Sequence, residues 1–75
     1  MITEEIKRYK DKYSNQNTSS RLRTTKDGYV LQVTIDGGLF LLGQMKFDHN
    51  GKNITTDKEM KDLQGMVEFS KSLDN

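Results

Sequence analysis

The longest apolar segment of the chain runs from Gly28 to Phe47 and alternates in two blocks. In the first block Tyr29, Leu31, Val33 and Ile35 alternate with Val30, Gln32 and Thr34. Such alternation is typical of a strand with one buried face. Asp36-Gly37-Gly38 then interrupts the pattern before a second block, residues 39–47. A three-residue turn there pairs Ile35 with Leu39 and Val33 with Leu41, so both apolar sets lie on one face.

Two further turns extend this hairpin on either side. A two-residue turn at Asp27-Gly28 pairs Leu22 with Val33 and makes residues 21–26 a strand. Asn50-Gly51 is a strong hairpin signal and pairs Phe47 with Ile54, which predicts a short fourth strand at 52–55. The predicted β meander therefore covers residues 21–55.

Helices are predicted at both ends of the chain. A stripe of apolar residues at helical spacing and a threonine N-cap predict a helix over residues 1–13, followed by a polar connector at 14–20. The stripe is Ile2, Ile6, Tyr9 and Tyr13, and the cap is Thr3. Thr56 and Glu59 form a capping box that starts a second helix over residues 56–73. Its apolar face contains Met60, Leu63, Met66, Val67, Phe69 and Leu73.

These elements predict a single small α+β domain in the order α-β-β-β-(β)-α, with the helices mainly on one sheet face. We expect the inner face to contain Leu22, Tyr29, Leu31, Val33, Ile35, Leu39, Leu41, Met45, Phe47 and Ile54. With 75 residues and no cysteine, the core is small and has no disulfide to supplement it.

Charge and hydropathy exclude few functions. The formal net charge is +1, so no strong field directs the chain toward nucleic acid or membrane. No apolar run has the length of a membrane helix or resembles a signal peptide, so we expect a cytoplasmic protein. The lysine-rich composition without proline, cysteine or tryptophan would suit a phage or another mobile element.

The predicted register also determines the outer face of the sheet. It places Arg23, Gln32 and Leu42 in one row and Arg21, Thr34 and Phe40 in another. If both helices cover the inner face, the mixed surface of Arg21, Arg23, Gln32, Phe40 and Leu42 is exposed, and arginine with aromatic residues is typical of binding hot spots. If one helix covers each face, Phe40 and Leu42 are instead ordinary core residues.

Residues with catalytic chemistry are few. His49 is the only histidine and falls in a predicted turn, with no orienting group indicated beside it. The run from Asp48 to Glu59 resembles a calcium loop only superficially, because Lys52 occupies a ligand position and Asn53 replaces the required glycine. We therefore predict no metal, no cofactor and no enzymatic activity.

Our first functional hypothesis is a non-enzymatic protein-binding module that acts stoichiometrically as a regulator or inhibitor of another protein, with or without homodimer formation. The outer sheet face would bind this partner. The alternative is a nucleic-acid-binding domain, in which Phe40 stacks on a base and basic residues hold phosphates. Those basic residues are Lys7, Arg8 and Lys10 of the first helix together with Arg21 and Arg23.

Overall fold

The computed structural model describes residues 3–15 and 17–73. Its elements are α1 (Glu4–Lys12), β1 (Thr18–Thr25), β2 (Gly28–Ile35), a 3-10 turn (Asp36–Gly38), β3 (Phe40–Phe47) and α2 (Asp57–Leu73). The three strands form one antiparallel sheet in the order β1-β2-β3. The predicted α+β class and element order are confirmed.

The first helix begins where the sequence predicts. Thr3 is the N-cap, and its Oγ1 accepts a hydrogen bond from the Ile6 amide at 3.4 Å. Ile6 and Tyr13 are buried against the sheet, which confirms that part of the apolar stripe, while Ile2 lies outside the described residues. The connector is shorter than predicted, because β1 already begins at Thr18.

The strand register differs from the prediction by two residues. Leu22 pairs with Leu31, and Leu31 pairs with Met45, whereas the predicted partners were Val33 and Gly43. Side chains alternate with a period of two, so a shift of two leaves each of these residues on its predicted face. Leu31, Val33 and Met45 are accordingly fully buried.

The first hairpin turns one residue earlier than predicted. Thr25 pairs with Gly28, so the turn consists of Lys26-Asp27 and Gly28 is the first residue of β2. Gly28 has φ 141°, and a Cβ there would lie 2.9 Å from the Asp48 Cα. Glycine is therefore needed where the strand leaves the turn and passes close to another backbone segment.

The last predicted hairpin forms with a shifted turn and without a full fourth strand. The turn spans Asp48–Gly51, with the Gly51 amide donating to the Asp48 carbonyl at 2.9 Å, so Asn50-Gly51 is not its centre. Phe47 forms an isolated bridge with Asn53, and no fourth strand follows among the described residues. Ile54, predicted in the core, is 48% exposed.

The second helix begins at the predicted capping box. The Thr56 amide donates to Glu59 Oε1 at 3.2 Å, and the Glu59 amide donates to Thr56 Oγ1 at 3.1 Å. The side chains of α2 that enter the core are Leu63 and Val67, whereas Met66 and Phe69, predicted on the buried face, are exposed.

Both helices contribute to one core on the same side of the sheet. Its buried apolar residues are Ile6, Tyr13, Leu31, Val33, Leu42, Met45, Phe47, Leu63 and Val67. The predicted placement of the helices mainly on one face is thus confirmed, and the opposite face of the sheet is free of both helices.

Candidate functional site

A β-bulge in β3 decides where the predicted site residues lie. Gly43 pairs with Val33 and Leu41 pairs with Thr34, so Leu42 is an extra residue with no opposite partner. An extra residue reverses the alternation of side chains beyond it. Leu42 consequently enters the core and is only 8% exposed. Its predicted place on the outer face is wrong.

Phe40 also leaves the predicted surface. It pairs with Ile35, which packs against the core, and paired residues share a face. Phe40 therefore lies on the side of the sheet that carries the helices, although it is 57% exposed there. It does not form a row with Arg21 and Thr34, as the predicted register required.

The remaining three residues of the predicted binding surface are brought together. Arg21 pairs with Gln32 across the β1–β2 ladder, and Arg23 lies two residues further along the same strand. Gln44 and Lys46 of β3 continue these two rows on the same face. The resulting open sheet face is cationic and contains one apolar residue, Val30, between Arg23 and Lys46. None of these six positions is aromatic.

The basic residues of α1 do not join this open sheet face. Lys7 and Arg8 are exposed and Lys10 is half-buried, but α1 packs on the opposite side of the sheet from Arg21 and Arg23. The two sets of cations therefore lie on opposite sides of the sheet and do not form one continuous surface on a single face.

The most apolar surface lies elsewhere, where the start of β3 meets the second half of α2. We call it the apolar patch and define it as Leu39, Phe40, Leu41, Met66 and Phe69, which are 76%, 57%, 55%, 42% and 58% exposed. All except Leu39 line one groove of about 400 Å³, together with Ile35, Leu42 and Ser70. The backbone of the 3-10 turn and the bulge hold this part of the strand beside the helix.

Sequence reasoning missed the contribution of α2 to this surface. Leu63, Val67 and Ser70 form one buried stripe at helical spacing, and the Ser70 hydroxyl donates to the Val67 carbonyl at 2.7 Å. Met66 and Phe69 form a second stripe beside it, outside the core. A helix that packs on one sheet face buries a single apolar stripe, so a second stripe beside it remains exposed. The width of the apolar face of α2 was the sequence signal that could have indicated this surface.

Among the ionisable groups, Glu59 has a structural role at the start of α2. Hydrogen bonds from the Thr56 backbone, then its hydroxyl, then Lys46, lower the pKa of Glu59. His49 is exposed in the turn at 48–51, and no cluster of three potential metal-ligating residues occurs within residues 3–15 and 17–73. No helix in the described part of the chain is long and apolar enough to cross a membrane.

The fold and this surface together define a small α-β-β-β-α domain with an open sheet face and an apolar patch. Comparisons of the chain with protein-family models, with curated proteins and with solved structures found no match. The assignment of function therefore depends on the physical properties of the surface.

Proposed function

We propose that this chain is a non-enzymatic protein-binding module that acts stoichiometrically as a regulator or inhibitor of another protein, through the apolar patch. The observation that carries the proposal is the clustering of four large, exposed apolar side chains around one groove, with the exposed Leu39 next to them in the chain. This replaces the open sheet face as the proposed contact surface, because Phe40 and Leu42 are not on it.

The size of the patch supports a binding role. Taking roughly 175 Å² for each large side chain, the exposed fractions correspond to about 500 Å² of apolar surface. Patches of several hundred Å² on single domains often mark interaction sites. Two phenylalanines at its centre, Phe40 and Phe69, are residues of the kind that fill pockets at interface hot spots.

The chemistry of the patch also limits the partner. Its five side chains carry no charge, so the complementary surface should be apolar and weakly charged, such as the exposed apolar face of an amphipathic segment in the partner protein. Burying a charged group of a partner here without a counter-charge would be unfavourable. Recognition would therefore depend on shape and apolar contact.

The experiment is a binding measurement with a partner that is captured from the source cell, purified and titrated calorimetrically. The double variant Phe40→Ser/Phe69→Ser should weaken binding about 30-fold or more, the loss expected for a hot spot worth roughly 2 kcal/mol. Both side chains are largely exposed, so the circular dichroism spectrum should not change. The expected stoichiometry is one partner site per chain.

Two control variants localise the effect. Ile54→Ser removes an apolar side chain that is 48% exposed but lies outside the patch, and it should leave affinity within about twofold. Arg21→Ala/Arg23→Ala tests the open sheet face. Loss of binding in the arginine variant but not in the phenylalanine variant would refute the proposed surface.

Nucleic-acid binding stays a prediction, and its test is a titration of single- and double-stranded oligonucleotides at two salt concentrations. Phosphate contacts would show as affinity that falls steeply with salt. Phe40 lies on the other side of the sheet from Arg21 and Arg23, so the predicted combination of base stacking by Phe40 with phosphate contacts from these two arginines is not supported.

A further inference from the structure

The apolar patch borders a strand edge that is only half covered. Lys46 donates its amide to Thr55 Oγ1 at 2.8 Å, and its carbonyl accepts from the Ile54 amide at 2.8 Å. The chain itself thus covers the outer edge of β3 near Lys46. It then turns away into α2, which begins at Asp57.

The other half of this edge is open. Backbone groups of alternate residues point to the same side of an antiparallel strand, so those of Gln44 point outward like those of Lys46. No hydrogen bond from another segment of the described chain reaches Gln44. An unpaired edge of this kind can accept a strand from another chain.

A second copy of the chain fits both features. The net charge of +1 gives negligible repulsion between copies, and two uncharged patches are complementary to each other. Two patches of about 500 Å² would bury about 1,000 Å², near the lower limit for a specific interface. Backbone pairing between the two open edges would add hydrogen bonds, and a two-fold axis is the usual symmetry of such pairs.

We infer that a second copy covers the apolar patch, with the open edge of β3 against its counterpart, in a weak symmetric homodimer that must separate before the partner protein can bind. The regulatory part of this inference rests on the proposed function, since both occupants use the same surface. The self-association itself can be tested without any partner.

The test is the molar mass of the purified chain by light scattering and sedimentation from about 1 to 200 μM. A single chain has a mass of 8.7 kDa, and we expect a concentration-dependent transition to twice that value. Phe69→Ser should raise the dimer dissociation constant at least tenfold by removing apolar contact. Ile54→Ser, the matched apolar control, should leave it within twofold.

Gln44→Pro tests the edge separately. Proline is tolerated at edge positions whose amide faces away from the sheet, but it removes the amide donor, so the variant should fold and dimerise at least tenfold more weakly. Circular dichroism checks folding, and Phe69→Ser remains informative if the proline variant fails it. A folded Gln44→Pro variant with unchanged dimerisation would overturn the edge pairing.

Other results separate this inference from the proposed function. A wild-type chain that is monomeric throughout, that forms polydisperse aggregates, or whose dimer survives Phe69→Ser overturns the inference. If that chain still binds its partner through Phe40 and Phe69, the proposed function stands alone. A partner protein that binds the intact dimer at a surface other than the apolar patch overturns both the competition between dimer formation and partner binding and the proposed contact surface.

Discussion

Replacement of Tyr13 by phenylalanine should stabilise this protein. Tyr13 caps the end of α1, is only 3% exposed, and its hydroxyl makes no hydrogen bond to any described residue. The ring borders a pocket of about 260 Å³ between the end of α1 and α2. A phenylalanine ring would keep the apolar contacts and remove only the unpaired hydroxyl.

The expected gain is about 1 kcal/mol in the free energy of unfolding. A buried polar group without a partner costs about 1–3 kcal/mol, and we take the lower end of this range. For a domain of this size the gain corresponds to an increase of about 4–8 °C in Tm. Urea titration followed by circular dichroism, at a fixed protein concentration, measures it directly.

Tyr9→Phe is the matched control. Tyr9 stacks on Tyr13 with ring centroids 6.5 Å apart, but it is only half-buried, so its hydroxyl can remain hydrated. We expect a change within about 0.5 kcal/mol. Destabilisation by Tyr13→Phe would refute the reasoning, because it would mean that the Tyr13 hydroxyl is satisfied in solution.

The pH dependence gives a second readout for the same residue. Burial, and to a lesser extent Tyr9, raises the pKa of Tyr13 above its ordinary value of 10.0. The folded state therefore disfavours the phenolate, and stability falls as the pH rises past about 10. The wild type should lose stability there more steeply than Tyr13→Phe, and identical pH profiles would contradict this assignment.

Three further predictions concern the backbone and the second helix. Gly65→Ala should stabilise by about 1 kcal/mol, since nothing lies within 4 Å of the added Cβ and glycine is a poor helix former; no gain in urea midpoint would contradict it. Gly28→Ala should destabilise the protein by more than about 2 kcal/mol, because the φ of Gly28 is 141° and the new Cβ would collide with the backbone at Asp48. A nearly unchanged Tm would show that the backbone at this turn can relax. Glu59→Gln should flatten the acid limb of the stability profile: the pKa of Glu59 is lowered in the folded state, so its contribution is present above about pH 4.5 and is lost as the pH falls below it. Unfolding titrations of the wild type and Glu59→Gln at pH 7 and pH 3.5 check this. If both proteins lose the same stability between the two pH values, the capping box is not the source of the loss.

The sheet face of the apolar residues of β2 was predictable from the sequence, but the residues they pair with on the neighbouring strands were not. Alternation of Leu31, Val33 and Ile35 with Gln32 and Thr34 determines which side is buried, whatever the register. The register depends on which residue of each turn is glycine. Gly28 and Gly51 both follow the turn centre, where an added Cβ would meet Asp48 and Thr3 respectively. Those contacts come from distant segments, so the local sequence could not reveal them.

The capping signals of both helices were local and therefore readable. Thr3 bonds to the amide of Ile6, and Thr56 bonds reciprocally with Glu59, each within one helical turn. The division of α2 into a buried and an exposed stripe was not readable in the same way. It depends on how many apolar residues the sheet face can cover, which is a property of the assembled fold.

The bulge and the apolar patch have a common origin in four consecutive apolar residues. Leu39-Phe40-Leu41-Leu42 has no polar position, so alternation carries no information about which side chains face the core. A strand can direct only every second side chain to one face. The bulge brings Leu42 into the core, while Leu41 pairs with Thr34 and remains exposed at the groove. Burial of Leu39, Phe40 and Leu41 would contribute roughly 1.5–3 kcal/mol for each side chain. The small core of this domain does not cover them, so this stabilisation is not gained within the chain. Since Met66 and Phe69 are exposed beside them, the same surface that the fold cannot cover internally is the one best suited to contact with another chain.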